Sequence, residues 1–209
     1  LPGFRGGDLE PYSLFLFCGL LPWTWFSSSL LEASNSLIQN GNLIKKVLFP
    51  AEVLPIVAVL SNMAHFFLAL PILGVFLVFY ATPLQFSEIV WLPLVILVQL
   101  ILSLGLGFFL AALTVHFRDL KDLLANLLTL WFFCTPIIYP MSMLPPAGKF
   151  MMALNPFAHL VISYQEILFY DGPFGHWKWL LALAFAGVVL FLTGYALFDR
   201  LRDSFAEEV

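Results

Sequence analysis

Five runs of the chain carry no Asp, Glu, Lys or Arg, and each is bounded by a short polar stretch: residues 12–31, 56–80, 89–115, 123–139 and 180–198. A helix of about 20 residues crosses the roughly 30 Å hydrocarbon core of a bilayer, so each run is read as a membrane span. The fourth is slightly short and contains Pro136. The first contains Pro22, which can kink it, together with Trp23 and Trp25. Its helix continues past Leu31, because Glu32, Asn35 and Gln39 recur at helical spacing, with Ser36 nearby. Inside a membrane such a stripe faces protein or a water-filled path; the alternative is that the helix has already left the bilayer. His65 is the one ionisable group in the middle of the second run, and it reads more readily as a hydrogen-bonded interhelical contact than as a proton relay. Pro71 and Gly74 allow a bend there. Ser103, Gly105 and Gly107 give the third run a small-residue face suited to close helix packing.

Two interruptions stand out. Residues 40–55 read NGNLIKKVLFPAEVLP. Gly41 is placed to end the preceding helix and Asn42 to cap a new one. Pro50 disfavours helix at Phe49, so the new helix spans about two turns. Leu43, Ile44, Val47 and Leu48 then share one face, and Lys45, Lys46 and Phe49 the other. This is either a solvated turn between spans or a docking knob for a partner, an aromatic flanked by cations being a common anchor. The second interruption is residues 140–175, where Pro140, Pro145, Pro146, Pro156 and Pro173 break any long helix. Two short pieces are predicted, over 148–154 and 157–170. Asn155 caps the second, with Pro156 in its first position. That piece carries Tyr164, Gln165 and Glu166 and is read as an interfacial or re-entrant helix. Trp177, Lys178 and Trp179 then form an interfacial anchor before the last span.

Composition turns this pattern into a class. The 209 residues are 61% hydrophobic and 11% charged, where a soluble domain has about 45–50% and about 25%. The expected fold is an all-α integral membrane protein with five spans and short interfacial or re-entrant helices before the last. The net charge of −4 argues against nucleic-acid binding. Cys18 and Cys134 sit in apolar runs and read as small hydrophobes. No phosphate-binding loop, metal motif or nucleophile elbow occurs, so no catalytic, cofactor or metal residue is assigned. Six cations (Lys45, Lys46, Arg118, Lys121, Arg200, Arg202) fall on one side and three (Arg5, Lys149, Lys178) on the other. The positive-inside rule puts the knob, the HFRDLKD loop over 116–122 and the tail in the cytoplasm, and Leu1 outside. An external start without a signal peptide calls for an upstream span, so six spans are expected in the complete protein.

Several stretches together carry a resemblance. They are PYSLFLFCGLLPWTWFSSSLLEASNSLIQNGNLIKKVLFPAEVLP, GLGFFLAALTVHFRDLKDLL, WFFCTPIIYPMSMLP, LNPFAHLVISYQEILF and the ending DRLRDSFAEEV. In this order they resemble the membrane subunit of type-2 ABC exporters for polysaccharides and polyol phosphates, such as O-antigen, capsule and teichoic acid, without that family's N-terminal amphipathic helix and first span. The resemblance implies a homodimeric permease in the bacterial inner membrane with two cytoplasmic ATPase subunits. ATP and Mg would be bound by those partners and not by this chain. It makes residues 41–50 a coupling helix with Asn42, Leu43, Ile44, Lys45, Lys46 and Phe49. Arg118 and Asp119 become a second ATPase contact, and residues 140–175 an external gate including Tyr139, Asn155, Pro156, Tyr164 and Glu166. The cargo would be a lipid-linked glycan passing between two copies along aromatic residues. With 23 Phe and 17% aromatic content, such a lining is available. Trp23, Trp25 and Phe26 are the favoured rings, beside Glu32, Asn35 and Gln39. Export of a drug or small lipid is the alternative within the fold, and a membrane-bound transferase acting on lipid-linked sugars the alternative outside it.

Overall fold

The computed structural model describes residues 11–46, 49–80, 86–170 and 172–208. Among these there is no strand. The helices in chain order are α1 (Tyr12–Gln39), α2 (Gly41–Lys46), α3 (Val53–Phe79), α4 (Phe86–Ile89), α5 (Leu92–His116), α6 (Leu120–Phe133), α7 (Pro146–Ala153), α8 (Pro156–Leu168) and α9 (Trp177–Glu208), with a 3-10 turn at Met141–Met143 before α7. Long uncharged segments become helices because lipid offers no hydrogen bonds, and a helix satisfies its own backbone.

Among the described residues, α1, α3, α5 and α9 are long and apolar enough to cross a membrane. They lie in the order α3, α1, α5, α9 by contact. The apolar stretches of α1 and α5 are 56% and 50% buried, those of α3 and α9 only 28% and 22%. The first two therefore form the centre, and α3 and α9 turn most of their surface outward. Pro22 and Pro71 are accommodated within unbroken helices.

The fourth uncharged run departs from expectation. Only Leu120–Phe133 is helical, 14 residues, or about 21 Å at 1.5 Å per residue, short of the roughly 30 Å needed. So four long spanning helices stand where five were expected. The run still passes from one end of the bundle to the other. It starts just after α5, and Tyr12 Oη at the opposite end donates to the Ile138 carbonyl at 3.0 Å. Pro136 bars helix at Thr135, and the last part of the passage is irregular backbone. Thr135, Pro136 and Ile137 are buried. Asn155 Nδ2 donates to the Cys134 carbonyl and Gln165 Nε2 to that of Pro136, each at 2.9 Å. Non-helical backbone at this depth persists only where protein supplies such partners.

The break after α1 also falls earlier than predicted. Asn40 ends α1, its Nδ2 donating to the Ser36 carbonyl at 2.8 Å. A side-chain amide competing for a backbone carbonyl can end a helix as a glycine does. Gly41 is the buried first residue of α2, and Asn42 lies inside that helix as its exposed second residue, not as its cap.

Candidate translocation surface and its two ends

The helical spacing that marked Glu32, Asn35 and Gln39 extends further up α1. Thr24 and Ser28 continue it toward the Tyr12 end, and all five face outward, Asn35 partly. Steps of four, four, three and four residues keep them on one side of the helix. Across from them, α3 contributes Asn62 and His65. A groove of about 160 Å³ between the helices is lined by Thr24, Trp25, Ser28, Asn62, His65 and Phe66, among others. Asn62 Nδ2 donates to Glu32 Oε2 at 2.5 Å and to the Ala58 carbonyl at 2.9 Å. A strip of hydroxyl, amide and carboxylate groups along the outward face of a long apolar helix favours water or protein on its outer side over lipid tails. Sequence reading found the lower half of this strip; the signal for the upper half was the same i, i+4 spacing, hidden inside an uncharged run.

The three favoured rings divide. Trp25 is also buried, at 2% exposure, but it packs toward α3 at the groove's edge, with its Nε1 donating to the Val59 carbonyl at 3.3 Å and its ring 5.1 Å from that of Phe66. Trp23 and Phe26 point into the bundle. Phe26 stacks on Phe157 at 4.2 Å, and Trp23 meets Trp131, Phe132 and Phe157. In this chain they join α1 to α6 and α8.

At the Tyr12 end, the short helices close over the bundle. Eleven of the 13 residues of α8 are buried, against α1, α5 and α9 among others. Asn155 is its N-cap and Pro156 its first residue, as predicted. Asn155 Oδ1 accepts from Phe157 N at 3.1 Å, Ala158 N at 3.3 Å and Trp131 Nε1 at 2.9 Å. Its Nδ2 also donates to Thr135 Oγ1 at 3.1 Å, so one amide ties α6, the irregular passage and α8 together. Tyr139 Oη donates to the Phe133 carbonyl at 2.7 Å. Tyr164 is buried in the core, edge-on to Phe66. Glu166 holds the turn into α9: its Oε1 meets His176 Nδ1 at 2.5 Å, and its Oε2 accepts from Gly175 N and His176 N at 3.0 and 3.1 Å. Burial alone would raise the Glu166 pKa, but these three donors and the His176 charge hold it below the usual carboxylate value. Burial lowers that of His159, with the Ala153 carbonyl opposing and His176 adding to the effect.

The other end gathers the basic stretches. The C-terminal ends of α1, α5 and α9 meet the start of α3 through Leu37, Ala51, Val115, Phe198 and Phe205. Arg202 lies 3.8 Å from Glu52, and α2 touches α9. Leu43 is exposed, Phe49 is half-buried, and Arg118 and Asp119 are exposed just past α5. The side chains of Ile44, Lys45 and Lys46, with Val47 and Leu48, lie outside the described residues.

Comparison with known proteins bears on this arrangement. The ABC-2 type transporter family matches residues 7–169. The O-antigen export system permease protein RfbA of Myxococcus xanthus is 41% identical over 204 residues, covering 97% of this chain and 78% of the relative. Two proteins of that name from Klebsiella pneumoniae are each 34% identical over 200 residues, covering 96% of this chain and 76% of theirs.

Proposed function

The chain belongs to the ABC-2 type transporter family, and from that premise we propose that it is the membrane permease subunit of an ATP-driven exporter of a lipid-linked cell-surface polysaccharide. The observation that carries the reading is the polar strip along the outward face of α1. A glycan is rich in hydroxyls and needs a hydrated or hydrogen-bonding route through lipid. The relatives are named O-antigen export permeases, which supports a glycan over a drug or small lipid.

The fuller arrangement follows from this reading. The chain works in the bacterial inner membrane as a homodimer, with the α1–α3 strips of two copies bordering the route. The end with α2, Arg118 and the C-terminus is cytoplasmic and meets two ATPase subunits, which bind ATP and Mg. Closure of the ATPase pair pushes residues 41–50. That segment lies between α1 and α3, the two helices that form the groove, so a push there changes the groove first. The apolar contact of α1, α3, α5 and α9 at the same end then passes the push on to α5 and α9.

The test is co-purification of the full-length protein from native membranes. A phosphate-loop ATPase is expected to accompany it, and Phe49→Ala is expected to weaken that association at least tenfold and reduce export while the permease stays folded. If no ATPase accompanies the wild type, the exporter reading falls. If Phe49→Ala keeps both association and export, Phe49 has no part in coupling.

A further inference from the structure

A second cavity, sharing no residue with the α1–α3 groove, lies at the Tyr12 end between α8, the start of α9 and the 3-10 turn. Its volume is about 690 Å³, within the roughly 300–1,000 Å³ of small-molecule sites. The side chains around it include Ser142, Gln165, Glu166, Tyr170, His176 and Trp179. We propose that this cavity binds a neutral saccharide unit, one or two sugar rings, on the outer side of the membrane. The assignment to the outer side, and to the exported chain as the source of the sugar, rests on the export reading above.

Three features argue for a sugar. The Trp179 ring lies flat on His159, 4.2 Å away with 8° between the planes, so its orientation is fixed from one side. About half of its surface remains open, at 49% exposure. A fixed indole with open surface matches the apolar C–H face of a pyranose, whose fit to aromatic rings needs no charge. Next to it, Glu166 is already oriented by His176 and two backbone N–H groups. A carboxylate has about four acceptor positions, and three are occupied, which leaves one for a sugar hydroxyl. With His176 against that carboxylate, the cavity presents no unpartnered charge to hold a phosphate or an ammonium group. Gln165 is fixed in turn by its bond to the Pro136 carbonyl. Groups locked before binding lose little entropy when a ligand arrives.

The experiment uses the full-length permease in lipid nanodiscs and saturation-transfer NMR with two probes, methyl α-mannoside and chitobiose. A saturable signal at roughly millimolar probe is expected for at least one. Trp179→Ala is expected to reduce it at least tenfold, Trp179→Phe to retain most of it, and Trp177→Ala, outside the cavity, to leave it unchanged. If Trp179→Ala lowers the melting temperature, Ser142→Trp, placed on the exposed turn so as to fill the cavity, must abolish the signal instead. Absence of a saturable signal from both probes overturns the proposal. So does an unchanged signal in a folded Trp179→Ala protein, or displacement by glycerophosphocholine. Binding needs neither ATPase nor transport. A permease that still recruits its ATPase and exports but binds neither probe loses this cavity alone.

Discussion

At the scale of single residues, the Tyr12 end depends on a few polar side chains that hold backbone the helices cannot. Asn155 is the clearest case, with its amide satisfying a helix start, an indole N–H and a carbonyl in the irregular passage. Loss of an N-cap costs about 1 kcal/mol, and the part-buried Trp131 indole N–H left without its acceptor costs about 1–3 more, the exposed Cys134 carbonyl turning to solvent instead. Asn155→Ala should therefore destabilise the protein by roughly 2–4 kcal/mol. Asn155→Asp, which keeps the acceptor but loses both donors, should fall between, as read by thermal unfolding in detergent. Two further groups on α8, His159 and Glu166, set a pH dependence. His159 is held below its ordinary 6.5 and Glu166 below its ordinary 4.5. In both, the unfolded chain takes up a proton before the folded one, so stability rises with pH across each window. Both contributions are fully present above pH 6.5. Acidification should lower the melting temperature first below about pH 6.5, through His159, and again below about 4.5, through Glu166. In Glu166→Gln the second step should vanish while the first remains.

At the scale of elements, α5 and α9 form the tightest helix pair. A Cβ on Gly105 would stand 2.7 Å from Phe191 N and 2.9 Å from the Leu190 carbonyl carbon, both backbone atoms that cannot rotate away. Gly105→Ala should cost about 1–3 kcal/mol by overpacking. Gly187→Ala is the internal comparison, since its Cβ would meet Ile101 and Leu102 at an ordinary 3.6 Å. Both helices remain continuous, so differential melting of the two variants separates a packing cost from helix propensity. The small residues of α5 were legible in the sequence, but their partners were not. Gly105 faces α9, while Gly107, two residues on, faces Ala33 and Val59 of α1 and α3. One sequence stripe thus serves two interfaces, because successive residues two apart lie on nearly opposite sides of a helix.

At the scale of the whole molecule, the groove side and the packed side of α1 make opposite predictions. Ser28→Leu removes a polar group from the outward strip without touching the core. It should leave the melting temperature within about 0.5 kcal/mol of wild type in stability but reduce surface polysaccharide several-fold. Phe26→Ala empties a site stacked on Phe157 and should destabilise the protein by roughly 3–5 kcal/mol. Export lost in Phe26→Ala together with the fold, and lost in Ser28→Leu without it, would separate route from scaffold. Normal export in Ser28→Leu would remove this part of the strip from the route.

The sequence by itself determined the class, the long helices and the positions of the two interruptions. These follow from local physics: uncharged length demands helix in lipid, polar and proline-rich stretches interrupt it, and Asn155 with Pro156 starts it again. It also marked Glu32, Asn35 and Gln39 through their spacing. Only the tertiary structure decided which aromatic rings face which way. An apolar side chain looks the same along the chain whether it meets lipid, a neighbouring helix or a route, so Trp23 and Phe26 could be told from Trp25 only once α6, α8 and α3 were packed around them. The same holds for the fourth run, where irregular backbone is tolerable solely because Asn155 and Gln165, about 20 to 30 residues later, supply its hydrogen bonds.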